Sequence, residues 1–134
     1  MKGVDYERLL ARKLSKLGFA VVRAPSSGSG TRIERPDIIA GRKGLILAIE
    51  VKTTSRKKIY VGEEGLKRLI RFSEKFGATP YIAVKFKGSG YDWFFIPPQH
   101  FRKGGRMYSI SLEEASKIGI RPELLAARRL MDFS

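Results

Sequence analysis

The chain has 134 residues, 43% of them hydrophobic and 30% charged, which fits one globular domain spanning residues 1–134 and excludes a disordered chain. It has no cysteine and a single histidine, His100, which excludes disulfides and cysteine-based zinc sites and disfavours a histidine zinc cluster or a Ser-His-Asp triad. The excess of 27 Lys and Arg over 13 Asp and Glu, a net charge of +14, favours a polyanionic partner, with nucleic acid ahead of an anionic membrane surface.

The first half of the chain is predicted to contain one helix and three strands. Apolar side chains recur at helical spacing over residues 4–17, and Gly18 ends this helix. Segments rich in β-branched and apolar residues predict strands at residues 19–23, 37–41 and 45–54. A loop rich in Ser, Gly and Arg (24–36) precedes the second strand, and the segment 41–44 forms a turn before the third.

The second half is predicted to hold three helices and three strands. Residues 55–62 are interpreted as a basic connection, followed by a second helix over residues 63–76. Further strands are predicted at residues 80–86, 92–96 and 107–111, a capping box at Ser111 begins a short helix, and Pro122 begins the last helix. This order of elements indicates an α/β fold with a mixed sheet. Without an apolar run of roughly 20 residues or a signal-peptide core, we expect a soluble, cytoplasmic protein with no membrane partner.

The third strand carries charges where its pattern predicts burial. Residues 45–49 are apolar on both faces, as in a central strand, yet Glu50 and Lys52 follow and point to one face because side chains alternate. A buried charge is unfavourable unless it is paired or binds a metal. A Glu50–Lys52 pair at a fraying strand end is the alternative without a catalytic role.

The preceding strand begins with a second carboxylate. A short turn predicts that the two strands pair as a hairpin, which brings Asp37 close to Glu50 and Lys52. Carboxylate oxygens suit Mg²⁺, and Mn²⁺ is an alternative. Such an ion acidifies a bound water and offsets charge on a phosphate, while Lys52 can orient that water. This cluster favours phosphodiester hydrolysis by in-line attack of water.

The segments around this cluster resemble a known family. Pro36, Asp37, Glu50 and Lys52 form the pattern PD-(x12)-E-x-K, which is similar to the signature of the PD-(D/E)xK nuclease superfamily. The segments PDIIAG, AIEVK and RLIRFSEKFGA, with Glu7-Arg8 upstream, resemble archaeal Holliday junction resolvases over about residues 3–96. The resemblance implies a restriction-endonuclease-like core, a central mixed β-sheet flanked by helices. It also implies a homodimer that makes paired, Mg²⁺-dependent nicks in four-way junction DNA during recombination and repair.

The resemblance also assigns roles to single residues. Asp37, Glu50 and the main-chain carbonyl of Val51 would bind the metal, Glu7 would approach it through its water shell, and Lys52 would be catalytic. The serine-bearing loop would supply a hydroxyl to the active site or the DNA; Ser26, Ser27 and Ser29 are candidates that are not separated, with Ser27 taken for catalysis and the other two for DNA. For Glu7, a carboxylate that favours the dipole of the first helical turn is the alternative.

Basic residues and the second helix complete the predicted interfaces. Phosphate contacts are predicted for Arg8 and Arg23 from the resemblance, and for Arg32, Arg35, Arg56, Lys57 and Lys58 from their position near the site.

Helix two has one apolar ridge of Leu66, Ile70 and Ser73 and another of Leu69, Phe72 and Phe76. One ridge is predicted to cover the sheet and the second to form a two-fold dimer interface at Leu69, Phe72 and Phe76. A wide buried face in a monomer is the alternative. Lys67, Arg68, Arg71 and Lys75 are placed on the wet face of this helix.

Two other functional classes stay open from the residues alone. Another nuclease on this fold, of restriction or repair type, would use the same cluster on a duplex sequence. A non-catalytic nucleic-acid-binding module would use the basic surface without cleavage. The number of metal ions, other protein partners and the role of residues 97–134 have no assignment.

Overall fold

The architecture is known from a computed structural model, which describes residues 3–24 and 34–131. In chain order the elements are α1 (Gly3–Lys16), β1 (Ala20–Arg23), β2 (Ile38–Arg42), β3 (Leu45–Thr54), β4 (Lys58–Gly62), α2 (Glu63–Phe76), β5 (Thr79–Phe86), β6 (Phe94–Ile96), a 3₁₀ turn (Pro98–His100), β7 (Arg102–Gly104), β8 (Met107–Ser111), α3 (Leu112–Ile118) and α4 (Pro122–Met131). Within the described ranges, no helix has the length and apolar character to cross a membrane.

A five-stranded mixed sheet forms the centre of the fold. Its strand order is β1-β2-β3-β5-β6. The middle strand, β3, pairs antiparallel with β2 and parallel with β5, so the predicted mixed sheet is confirmed. Leu47, Ala48 and Ile49 are fully buried there, because a strand covered on both faces has no solvent side.

The β2–β3 hairpin has the tight turn that its sequence predicts. Lys43 and Gly44 connect the strands with φ angles of 48° and 87°, the left-handed backbone of a type I′ turn. This two-residue turn sets a register in which Ile38 lies opposite Ile49. Asp37, one residue before β2, therefore lies beside Glu50.

Helices cover both faces of the central sheet. On one face, α1 contributes Leu10 and Leu14, and α4 contributes Leu125, to a core shared with alternate residues of β2 and β3. On the other face, α2 and the small second sheet enclose a separate core. Residues 97–131, to which the sequence analysis gave no role, thus supply side chains to both cores.

The buried stripe of α2 differs from the prediction. Leu66, Leu69 and Ser73 face the core, whereas Ile70 is exposed, so each predicted ridge is partly in the core and partly in solvent. Leu69 is only 4% exposed, and the prediction that it meets a second copy was wrong, since its side chain already packs within the protomer. Phe76, at 49% exposure, stays on the open flank.

The segment 55–62 was predicted to be a connection, but its second half is a strand. Lys58–Gly62 forms β4, at one edge of a three-stranded antiparallel sheet with order β4-β8-β7. The alternation was visible in the sequence: Ile59 and Val61 are buried, and Lys58 and Tyr60 are exposed. The short β7 was also missed, because three exposed residues carry no periodic signal.

The close contact at Gly119 predicts a stability effect. A Cβ atom there would lie 2.6 Å from the Ala115 carbonyl oxygen and 2.7 Å from the Phe94 Cβ, and Phe94 is buried. We expect Gly119→Ala to lower the free energy of unfolding by about 2 kcal/mol or more, since the core must shift. The matched control is Gly104→Ala, where nothing lies within 4 Å and the change should stay within about 0.5 kcal/mol. Urea unfolding measures both, and equal stability of the two variants would contradict the packing seen at α3.

Candidate active site

The predicted cluster forms at the end of the β2–β3 hairpin. The Val51 N–H donates a hydrogen bond to Asp37 Oδ2 at 2.8 Å, which fixes the carboxylate against β3. Lys52 Nζ lies 3.9 Å from Glu50 Oε2. The structure therefore brings Asp37, Glu50 and Lys52 together on one end of the central sheet, while their chemical roles stay predictions.

Burial raises the pKa of both carboxyl groups, Asp37 and Glu50. Loss of solvent raises the pKa of Glu50 to about 7, the negative charge of Asp37 adds to the increase, and Lys52 and Arg68 oppose it. Burial likewise raises the pKa of Asp37, against the lowering effects of the Val51 N–H and Lys52. Two partly buried carboxylates that repel one another favour binding of a proton or a cation.

Glu7 joins this region from α1. Its Oε1 atom lies 3.8 Å from Arg23 Nη2, and burial together with the Asp37 charge raises its pKa. Arg23, on β1, has a buried Nε without a hydrogen-bond partner among the residues described. Glu7 is therefore close enough to Asp37 for their negative charges to interact, while its approach to a metal stays a prediction.

The donor set fits a hard divalent cation that keeps much of its water. Among residues 3–24 and 34–131, no three Asp, Glu or His side chains form a ready-made metal cluster. Asp37 and Glu50 nevertheless place two carboxylates close together, with Asp37 fixed to the Val51 N–H; the predicted third donor would be the Val51 carbonyl. Mg²⁺ accepts few protein oxygens and fills its octahedron with water, so this set suits it.

The predicted DNA contacts are dispersed around the site. Arg8 is mainly exposed and lies 3.5 Å from Asp5, and Arg35 is also exposed. Arg56, Lys57 and Lys58 are exposed in and after the turn that follows β3. The remaining predicted residues of this set, Ser26, Ser27, Ser29 and Arg32, lie outside the described residues.

Two arginines on α2 contact this region although the sequence placed them on the wet face of the helix. Arg68 is close enough to Glu50 for its positive charge to lower the pKa of that carboxyl group. Arg71 Nη2 lies 2.7 Å from Glu34 Oε1, three residues before Asp37. A single sequence has no signal for these contacts, because they depend on the angle at which α2 crosses β3.

The chain is similar to several known proteins. A family model described as archaeal Holliday junction resolvase matches residues 1–131. The crossover junction endodeoxyribonuclease Hjc of Methanocaldococcus jannaschii is 46% identical over 109 residues, covering 81% of this chain and 75% of that protein. The Archaeoglobus fulgidus Hjc is 34% identical over 125 residues, covering 88% and 90%. A 1.6 Å structure of Archaeoglobus fulgidus Hjc, a Holliday junction resolvase, superposes with a TM-score of 0.82 and 31% identity over 95% of this chain and 97% of that one.

The raised pKa of Glu50 predicts a gain in stability when its charge is removed. Because the folded-state pKa is about 7 and the ordinary value is 4.5, ionisation of Glu50 lowers the free energy of unfolding progressively between these pH values and fully above them. In EDTA at pH 8, Glu50→Gln should therefore be more stable than the wild type by about 1–3 kcal/mol.

The pH dependence and a matched control variant distinguish the loss of the buried Glu50 charge from other effects of the substitution on stability. The advantage of Glu50→Gln should shrink as the pH falls and approach zero below about 4.5, where the wild-type carboxyl group becomes protonated in both the folded and the unfolded state. The exposed α2 residue Glu74 gives the matched variant Glu74→Gln, which should change stability by less than about 0.5 kcal/mol. Chemical denaturation at each pH measures the differences; a less stable Glu50→Gln at pH 8 would contradict the unfavourable burial of this charge.

Proposed function

The chain belongs to the archaeal Holliday junction resolvase family, and from this premise we propose that it is a structure-selective endonuclease that resolves four-way DNA junctions. The observation that carries the proposal is the meeting of Asp37, Glu50 and Lys52 at one end of the hairpin. A net charge of +14 supports a DNA substrate. The relatives reported above are named as crossover junction endodeoxyribonucleases, which agrees with this activity.

We propose that Asp37, Glu50 and the Val51 carbonyl hold Mg²⁺, with Mn²⁺ as an alternative. When bound, the ion would supply an acidified water and offset negative charge on the phosphate. The Val51 N–H occupies Asp37 Oδ2 and so orients the carboxylate, which leaves its other oxygen for the cation. Lys52, close to Glu50, would orient the attacking water or stabilise the negative charge that develops on the phosphate oxygens.

The surrounding residues would support this chemistry. Arg23 holds the Glu7 carboxylate, which would contact the water shell of the metal. Ser27 would supply a hydroxyl from the loop before β2. Backbone phosphates would be contacted by basic and hydroxyl groups near the site: Arg8, Arg23, Ser26, Ser29, Arg32, Arg35, Arg56, Lys57 and Lys58. Such contacts position DNA without reading bases, so the junction would be recognised by its shape.

Resolution of a four-way junction requires two symmetric incisions, and we propose a two-fold homodimer to supply them. The open flank of α2 supports this assembly. Phe72 and Phe76 stack there with ring centroids 5.2 Å apart and an interplanar angle of 17°, and half of the Phe76 side chain is exposed. Burial of this aromatic pair against its copy would stabilise the dimer.

The activity is tested with a synthetic four-way junction and a linear duplex of the same sequence, incubated side by side. We expect Mg²⁺-dependent nicks in pairs, symmetric about the junction centre, and none in EDTA. Asp37→Asn should lower the cleavage rate by about a hundredfold or more, because it removes a charged ligand and leaves the fold intact. The control Glu74→Gln, on exposed α2 surface, should cut at the wild-type rate.

Other outcomes of this assay identify the alternatives. Equal cutting of junction and duplex, or an uncut junction, would refute junction selectivity. Cleavage at one fixed duplex sequence would indicate a restriction-type nuclease. Junction binding that is unchanged in Asp37→Asn, without product at any metal concentration, would indicate a non-catalytic binding module.

The dimer is tested through the exposed aromatic flank. Light scattering after size exclusion should give the wild type twice the chain mass of 15.1 kDa. Phe76→Glu should give the mass of one chain, because two buried charges would face each other across the two-fold axis. Leu124→Glu, a matched change at an exposed apolar residue of α4, should leave the mass unchanged. A wild-type monomer, or equal masses for Phe76→Glu and the wild type, would contradict this interface.

A further inference from the structure

The small sheet formed by β4, β8 and β7 has one buried face and one open face. Ile59, Val61 and Ile110 point inward and pack in the core beneath α2. Directly paired residues of antiparallel strands share a face, so the register identifies the residues on the opposite side. This outer face consists of Lys58, Tyr60 and Gly62 of β4, Met107, Ser109 and Ser111 of β8, and Arg102 and Gly104 of β7.

An aromatic ring is exposed on the outer face of the edge strand β4. Tyr60 is 55% exposed, although its neighbours in the strand are almost fully buried. Met107, on the adjacent strand, is 43% exposed. Lys58 Nζ lies 5.9 Å from the centroid of the Tyr60 ring, a cation–π contact at the solvent boundary. The face therefore presents a ring next to a cation.

The charged residues of the three strands are all basic. None of the strands contains an acidic residue, and their outer face carries Lys58 and Arg102, whereas Lys103 is paired with Tyr108 on the opposite side. Arg106 lies in the turn that joins β7 to β8. Two glutamates outside the sheet offset part of this charge: Glu114 Oε2 lies 2.7 Å from Arg102 Nε, and Glu63 is close enough to Lys103 and Arg106 for them to lower its pKa. The outer face thus suits a polyanion.

We propose that the outer face of the small sheet binds single-stranded DNA. Tyr60 stacks on an unpaired base, while Lys58 and Arg102 contact neighbouring backbone phosphates. Lys58 lies two residues before Tyr60 on β4, and Arg102 lies on β7, across β8 and about 10 Å away, so both cations share the face of the ring. Exposed aromatic side chains beside cations are a general solution for holding single strands, because every base has a stacking surface.

The chemistry of the face favours this occupant over two others. Bases inside a duplex already stack on each other, so a duplex would use the cations but not the ring of Tyr60. A second copy of the chain seated on this face would bring the same two cations into the contact, and the repulsion between like charges is unfavourable. The inference does not depend on the proposed nuclease activity, since binding requires no cleavage.

The test is fluorescence anisotropy of labelled oligothymidylate with the full chain in EDTA. Tyr60→Leu should weaken binding at least fivefold, because it removes stacking, whereas Tyr60→Phe should bind like the wild type. Lys58→Gln should reduce the slope of log Kd against log salt by about 0.7, the loss of one phosphate contact on a single strand. Two control variants should leave oligothymidylate binding unchanged. Tyr91→Leu removes an exposed tyrosine on the segment between β5 and β6, and Lys16→Gln removes an exposed cation at the end of α1.

Three results would overturn the proposal. The first is wild-type affinity of Tyr60→Leu for oligothymidylate. The second is an equal loss of affinity of Tyr60→Leu for duplex, which would show that no unpaired base is recognised. The third is a change of molar mass in Tyr60→Leu, which would identify the face as an interface between copies. Far-UV circular dichroism establishes that each variant is folded.

Discussion

The hydrogen bond from the Val51 N–H to Asp37 Oδ2 is the constraint on which the candidate site depends. Asp37 lies just outside β2, where no regular ladder would hold it. Its own carbonyl accepts a hydrogen bond from the Ala24 N–H at 2.9 Å, so neighbours on both sides fix this residue. The turn at Lys43 and Gly44 sets the register that makes these contacts, and a slip by one residue would turn Glu50 away from Asp37.

The position of Asp37 beside Glu50 brings negative charges together where the carboxyl groups have lost much of their solvent. The pKa values of Asp37, Glu50 and Glu7 are all raised, mainly because each carboxyl group loses solvent. Lys52 and Arg68 offset only part of that effect at Glu50. A fold selected for stability alone would not keep such a group on its central strand. The arrangement is instead suited to binding a cation, with stability given up for the site.

The parts of the fold that depend on local sequence were predictable. The hairpin and its carboxylate pair follow from a tight turn between two apolar runs, and α2 begins at Glu63 and ends at Phe76 as predicted. The errors concern contacts between distant segments. Leu69 was assigned to the wrong side of α2, because a ridge on a helical wheel does not show how the helix sits on the sheet. For the same reason Arg68 was not connected with Glu50.

The missed strand β4 changes how the basic residues after β3 are understood. Instead of a loose connection, residues 55–57 form a tight turn between the central sheet and the small sheet. The turn is held at both ends, since the Lys87 N–H donates to the Thr54 carbonyl and the Leu112 N–H to the Lys57 carbonyl, each at 2.8 Å. The cations of this turn are therefore carried on a backbone that is fixed relative to Glu50. Because β3 and β4 are joined by only three residues, one continuous hydrogen-bonded stretch of chain sets the positions of the candidate active site and of the outer face of the small sheet.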